Sequence, residues 1–177
     1  MNFSELIKIR QSDRKYEDRA VEKEKIIQCI EAARLSPSAN NVQPWKFIVI
    51  DEPELKKKID SAVSGQGMNK FAAQVPVIVA VVLERSSTLT NIASVLKNKE
   101  YSLLDIGIAA NQFCLQAAYI GLGTCIIGWF DETKVKKLLH VPRGKRVPLV
   151  ITVGYSQSSI RDKSRKPIEK MSSWNSY

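Results

Sequence analysis

VPVIVAVVL, residues 75–83, is the longest uninterrupted apolar run in the chain. It is far too short to cross a bilayer, and it contains a proline. Its residues are apolar at consecutive positions, which predicts a strand covered on both faces. Three further strands are expected at Phe47–Ile50, Thr124–Trp129 and Val147–Tyr155. Four strands separated by helices, the last two joined through a short helix, indicate an α+β fold.

Helical spacing of apolar residues predicts the elements between these strands. Glu22–Leu35 and Pro53–Ser64 are typical of amphipathic helices, and shorter helices are expected before Arg10 and after an N-cap at Asp131. The longest element, Glu100–Ile120, is apolar around most of its circumference and is expected to be a buried central helix. Its apolar residues include Leu104, Ile108, Phe113, Leu115, Ala118 and Tyr119. Three polar residues share one side of it and are expected at a subunit contact, namely Asp105, Gln112 and Gln116.

Composition favours one globular domain with an anionic ligand. A chain of 177 residues can bury a sizeable core, and 44% apolar with 25% charged residues is ordinary for a soluble protein. The net charge of +9, from 27 Lys and Arg against 18 Asp and Glu, favours nucleic acid, acidic membrane surfaces or phosphorylated cofactors. No reading helix or aromatic platform is recognisable, so nucleic acid is not expected.

Cysteine and histidine usage narrows the chemistry further. Cys29, Cys114 and Cys125 form no Cys-x-x-Cys pair and sit in apolar surroundings, which predicts free buried thiols in a reducing cytoplasm. The first residues lack a secretory signal pattern, so we expect a cytoplasmic protein without a membrane segment. The single histidine, His140, precedes Pro142 and is expected to end a short helix. We therefore expect neither a histidine-ligated metal nor a serine–histidine triad.

Three stretches carry polar chemistry. Arg10–Arg14 (RQSDR) places two guanidinium groups around a serine, and guanidinium forks match phosphate oxygens, although such a stretch is also typical of a solvated helix end. Arg161–Pro167 (RDKSRKP) is a second basic cluster. The polar loop Pro37–Trp45 (PSANNVQPW) precedes the first strand and is equally typical of a plain connection. Gly128 interrupts the third predicted strand, which marks either close approach of a ligand or a simple bulge.

Together these motifs resemble the FMN-dependent nitroreductase family. The four motifs, in order, are Arg-x-Ser-x-Arg, Pro-Ser-x-x-Asn-x-Gln-Pro-Trp, a long helix closing in Gly-Leu-Gly, and Lys-Ser-Arg-x-Pro. The resemblance extends from Ile7 to about Ile168. It implies a central, mostly antiparallel sheet flanked by helices and an intertwined homodimer. One domain would span residues 1–177, with 156–177 as a C-terminal extension packing on the partner subunit.

The resemblance also implies a set of FMN ligands. Arg10, Lys163 and Arg165 match the family's phosphate positions, Ser12 would donate to the ribityl or phosphate oxygens, and Arg14 would lie near the pyrimidine edge. The remaining matched positions are Gln11, Lys70, Pro37, Ser38, Ala39, Asn41, Ile126, Ile127 and Gly128. Of these, the four from the loop before the first strand would come from the other subunit. Residues 126–128 would line the flavin face.

The implied reaction is hydride transfer from NADH or NADPH, through FMN, to a nitroaromatic, a quinone or a similar small acceptor by a ping-pong cycle. The Gly128 backbone N–H would lie near flavin N5, and no side-chain acid or base and no metal would be required. Many longer relatives carry Glu-Gly where this chain has Gly128-Trp129.

Several alternatives remain open. Within the same fold the chain could be a dehalogenase, a dehydrogenase or a flavin-fragmenting enzyme, or a non-catalytic basic protein that binds flavin or nucleic acid. Residues 86–99 are expected to form a mobile excursion or a lid.

Overall fold

The computed structural model describes residues 1–84 and 100–177. The lid expected at 86–99 therefore lies outside the described residues. The helices are α1 (Phe3–Ile9), α2 (Lys23–Arg34), α3 (Pro53–Val63), α4 (Tyr101–Tyr119) and α5 (Glu132–Leu138). The strands are β1 (Trp45–Ile50), β2 (Val77–Leu83), β3 (Gly123–Ile127) and β4 (Arg146–Gly154). Each strand and each of α2, α3 and α4 agrees with its expected bounds to within two residues.

The apolar run at residues 75–83 forms the middle of the sheet. The strand order is β1-β2-β4-β3, and each pairing among these strands is antiparallel. Alternate residues of β2 enter two different cores. Val77, Val79 and Val81 pack with α2 and α4, whereas Ile78, Ala80 and Val82 pack with α3 and α5. The expectations of a strand covered on both faces and of an α+β fold are confirmed.

Helix α4 is only half buried, which corrects the expectation of an apolar helix buried all round. One side, including Ile106, Ala109 and Phe113, is buried against α2 and the sheet. The opposite side leaves Leu104 62% exposed, and Ile108 and Tyr119 are also exposed. Among the described residues, the long central helix therefore presents an exposed apolar stripe formed by Leu104, Ile108 and Tyr119.

The expected polar side of α4 is divided between two environments. Asp105 is buried, and its carboxylate accepts from the backbone N–H of Ala39. Gln112 is exposed and Gln116 is half-buried, and both line a shallow cavity with α1. Because Asp105 is buried against its own chain, it does not share an exposed surface with the two glutamines.

Left-handed residues end two of the helices. Gly121 has φ +82° after α4, where the N–H of Leu122 donates to the carbonyl of Ala117 at 2.8 Å. After α5, His140 adopts φ 52°, which confirms that it ends a short helix. Strand β3 ends at Ile127, so Gly128 follows the strand, and the expectation that it interrupts the strand is wrong.

The three cysteines are free and buried, as expected. Burial raises the pKa of Cys29 to about 12 and that of Cys114 to about 11, so both are neutral thiols near neutral pH. None of the helices within the described ranges has the length and apolar character needed to span a membrane.

Candidate functional site

The segment that follows α1 is hydrogen-bonded along the edge of the sheet. The N–H of Arg10 still donates to Leu6, which closes the helix. The N–H of Asp13 then donates to the carbonyl of Thr124 at 2.9 Å, and the N–H of Glu17 donates to Tyr155 at 2.9 Å. The stretch from Arg10 to Arg14 therefore runs beside the edge strand β3.

The two basic stretches meet there, although about 150 residues separate them in sequence. A cavity of about 320 Å³ is lined by residues 10–12, Arg14 and residues 161–165. We call this cavity the cationic cradle. It brings together Arg10, Lys163 and Arg165, which the resemblance assigned to the FMN phosphate, with Ser12, assigned to the ribityl or phosphate oxygens, and Arg14, assigned to the pyrimidine edge.

The cradle concentrates positive charge. The pKa of Lys163 is lowered, first by partial loss of hydration and then by the positive charges of Arg10, Arg165 and Arg161. The ammonium group of Lys163 also donates to the carbonyl of Lys8 at the end of α1, at 2.5 Å. A lysine destabilised by three neighbouring cations is relieved by an anion, so the donors present fit the phosphate dianion of FMN.

Arg161 is a cation of the cradle that the family resemblance did not include among the FMN ligands. Its guanidinium donates to the carbonyl of Ser12 at 2.7 Å. A signal was available, because Arg161, Lys163 and Arg165 alternate, and alternate residues of an extended segment share a side. The family motif carried over covers Lys163 and Arg165 only, which is why Arg161 was missed.

Arg14 also contacts the segment that contains Lys70, another expected residue. The guanidinium carbon of Arg14 is 5.8 Å from the ring centroid of Phe71, which follows Lys70. Asn69, at φ 55°, donates from its side chain to the carbonyl of Trp129 at 3.0 Å. The two neighbours of the exposed Lys70 therefore contact Arg14 and Trp129, which follows β3.

At the end of β3, backbone groups are more accessible to a ligand than side chains are. Ile126 is 42% exposed, whereas Ile127 is 4% exposed and packs in the core formed with α3 and α5. Gly128 is exposed, and a Cβ built there would meet nothing closer than the carbonyl oxygen of Pro148 at 4.0 Å. Ile127 can therefore contribute only backbone, and Gly128 leaves open space beside its peptide.

The loop with Pro37, Ser38, Ala39 and Asn41 is not brought to the cradle. It is fixed to the start of α4, where the N–H of Ala39 donates to Asp105 at 3.2 Å, and Asn41 holds φ 55°. Ala118, which lines a cavity with Arg10, lies thirteen residues further along the helix, or about 20 Å away. Within one chain, this loop and the cradle lie toward opposite ends of α4.

The fold and the cradle define an α+β protein with a cluster of cations beside the edge strand of an antiparallel sheet. The chain belongs to the nitroreductase family, since the sequence model described as "Nitroreductase family" matches residues 7–155. An oxygen-insensitive NADPH nitroreductase of Helicobacter pylori (strain J99) is 30% identical, with 87% of this chain and 85% of that protein covered.

Solved structures agree with this assignment. A nitroreductase family protein from Streptococcus pneumoniae TIGR4 superposes with a TM-score of 0.84 at 25% identity, covering 98% of this chain and 100% of that one. An FMN-dependent nitroreductase from Clostridium difficile R20291 gives 0.78 at 27% identity, covering 97% and 98%. The expected nitroreductase-like fold is confirmed.

Proposed function

We propose that this chain is an NAD(P)H-dependent FMN oxidoreductase that reduces nitroaromatics, quinones or similar small acceptors by a ping-pong cycle. The observation that carries the proposal is the cationic cradle. Arg10, Lys163 and Arg165, which match the family's phosphate positions in sequence, line one cavity. The similarity to an NADPH nitroreductase of Helicobacter pylori and to an FMN-dependent nitroreductase of Clostridium difficile supports the same donor and cofactor.

In this proposal the cradle holds the FMN phosphate and the segment after β3 lies against the ring. Arg10, Arg161, Lys163 and Arg165 supply charge-assisted hydrogen bonds to the phosphate oxygens, and Ser12 supplies a hydroxyl. Bound FMN would supply the redox chemistry, carrying a hydride equivalent between donor and acceptor.

The chain's own contribution is orientation and charge. Arg14 and Lys70 place positive charge at one edge of the ring site, where it stabilises negative charge that develops on reduction. The N–H of Gly128 offers a backbone donor in the open space after β3. No side-chain acid or base is assigned to the reaction. The donor leaves before the acceptor binds over the same face.

We further propose that the site is completed in a homodimer. The apolar stripe of α4 is exposed, and large exposed apolar patches mark interaction surfaces. Every residue from Ser164 to Tyr177 is exposed, and Trp174 is 92% exposed, as expected if 156–177 extends one domain onto a partner. A second copy would bring its Pro37–Asn41 loop to the cradle of the first copy. The loop of the first copy cannot reach that cradle.

Steady-state kinetics tests the reaction. We expect NADPH or NADH oxidation that depends on a nitroaromatic or quinone acceptor, with parallel double-reciprocal lines when both substrates are varied. Oxidation that reaches the same rate with oxygen alone would argue against a dedicated reductase. FMN binding without any oxidation of either nicotinamide would instead favour a non-catalytic flavin-binding protein.

A further inference from the structure

A buried carboxylate lies beside the cationic cradle, between the lining residues Ser12 and Arg14, and has no part in the proposed reaction. Asp13 is 5% exposed. Its Oδ1 accepts from the hydroxyl of Ser156 at 2.6 Å and from the side-chain amide of Gln11 at 3.0 Å. Its Oδ2 faces Gly123, where a Cβ would lie only 2.8 Å away. The carboxylate therefore occupies a space that exists because residue 123 has no side chain.

Gln11 extends this network to the C-terminal segment. Its Nε2 also donates to the carbonyl of Ser159 at 3.0 Å, and its Oε1 accepts from the backbone N–H of Arg161 at 3.1 Å. Both amide hydrogens and the carbonyl oxygen are thus engaged with the protein. Gln11, which the resemblance placed among the flavin ligands, is equipped here to connect two parts of the chain.

The network fixes the residues that precede the basic cluster. Ser156 is held by Asp13 directly, and Ser159 and Arg161 are held through Gln11. The segment is otherwise exposed from Ser159 to Asp162, with little buried surface of its own. Its direction into Lys163 and Arg165 therefore depends on hydrogen bonds more than on packing.

We propose that Asp13 is a positioning residue that orders the segment 156–161, so that Lys163 and Arg165 reach the same phosphate group as Arg10. This inference rests on the proposed FMN site. It assigns to Asp13 no contact with the flavin, because the carboxylate is buried, does not line the cradle, and has its Oδ1 engaged by Ser156 and Gln11.

The Asp13 carboxylate has two effects on FMN affinity, and they act in opposite directions. A negative charge near Arg10, Arg161, Lys163 and Arg165 weakens the attraction of the cradle for a phosphate. The hydrogen bonds of the same group order the segment that carries two of those cations, which strengthens binding. In our inference the ordering effect is larger.

The test compares FMN with riboflavin, which lacks the phosphate, in Asp13→Ala, Asp13→Asn and a control variant, Asp18→Ala. Asp18 is an exposed acid of the same stretch. Asp13→Ala removes the acceptor, and we expect FMN affinity to fall about tenfold to a hundredfold, the scale of hydrogen bonds to a charged group. Riboflavin affinity should change by less than about threefold. Asp13→Asn keeps an oxygen acceptor and should recover most of the FMN affinity.

Three outcomes would overturn the inference. Tighter FMN binding in both Asp13 variants would mean that the charge of Asp13 dominates. Equal loss for FMN and riboflavin would mean a general structural role, and unchanged FMN binding would mean that the segment needs no such support. If Asp13→Ala fails to fold, Ser156→Ala gives the same comparison through the partner hydroxyl. Wild-type protein that binds no FMN would contradict the proposed function itself, which separates that failure from these.

Discussion

At the scale of single residues, the cradle predicts that the phosphate and the ring are recognised separately. Arg165 lines the cradle from the segment 161–165, whereas the Arg14–Phe71 contact marks the proposed ring end. Arg165→Ala should therefore weaken FMN binding by about 1.5–3 kcal/mol, the scale of a hydrogen bond between charged groups. Fluorescence titration with FMN and with riboflavin measures both affinities. Arg143→Ala, which removes an exposed arginine outside the cradle, serves as the control and should leave both unchanged.

The depressed pKa of Lys163 predicts a pH dependence with a definite sign. A bound phosphate favours the charged ammonium, so FMN affinity should fall as pH rises through the pKa of Lys163 in the flavin-free protein. Because partial loss of hydration and then the neighbouring cations lower that pKa, the fall should begin below the ordinary lysine value of about 10.4. Lys163→Arg, which stays charged, should remove the fall. An identical pH profile for riboflavin would contradict the assignment.

Gly128 offers a test of the ring end. Within the described residues, a Cβ at this position would meet nothing closer than the carbonyl oxygen of Pro148 at 4.0 Å, so Gly128→Ala should shift the free energy of unfolding by less than about 1 kcal/mol. If a flavin lies against this peptide, the added methyl group should weaken both FMN and riboflavin binding. Thermal unfolding and flavin titration of the same variant separate the two effects. Unchanged affinity for both flavins would remove Gly128 from the site.

At the scale of secondary-structure elements, α4 links the fold to the proposed assembly. Leu104→Glu places a charge in the exposed apolar stripe without touching the buried side of the helix. We expect a shift from dimer to monomer in size-exclusion chromatography with light scattering, together with weaker FMN binding because the partner loop is lost. Thr133→Glu, at an exposed position of α5, is the matched control. A wild-type monomer with full FMN affinity would contradict the dimeric site.

The elements also show how far sequence reasoning reaches. The consecutive apolar residues of β2 and the helical spacing of α2 and α3 located these elements to within two residues, because both patterns follow directly from burial. The exposed stripe of α4 was not foreseen, since an apolar helix that packs on a partner has the same composition as one buried in its own chain. Strand β3 was extended too far because Gly128-Trp129 continues its apolar character.

At the scale of the whole molecule, the site joins segments that are far apart in sequence. Motifs located Arg10, Lys163 and Arg165, but neither Asp13 nor Gln11 carries a sequence signal for its role. Their hydrogen bonds to Ser156, Ser159 and Arg161 exist only because β3 and β4 bring residues 10–17 beside residues 155–161. These contacts form only when the sheet is complete. The local pattern of side chains in the sequence therefore does not predict them.

The proposal that this chain is an FMN-dependent oxidoreductase is tested most directly by an anaerobic titration of the purified protein, followed by flavin absorbance. The account predicts that the protein binds FMN in equal proportion to subunits and binds riboflavin more weakly. It also predicts that NADPH or NADH bleaches the bound flavin and that a nitroaromatic or quinone restores the absorbance. A protein that stays colourless with added FMN, or that binds FMN and riboflavin equally well, would contradict the account.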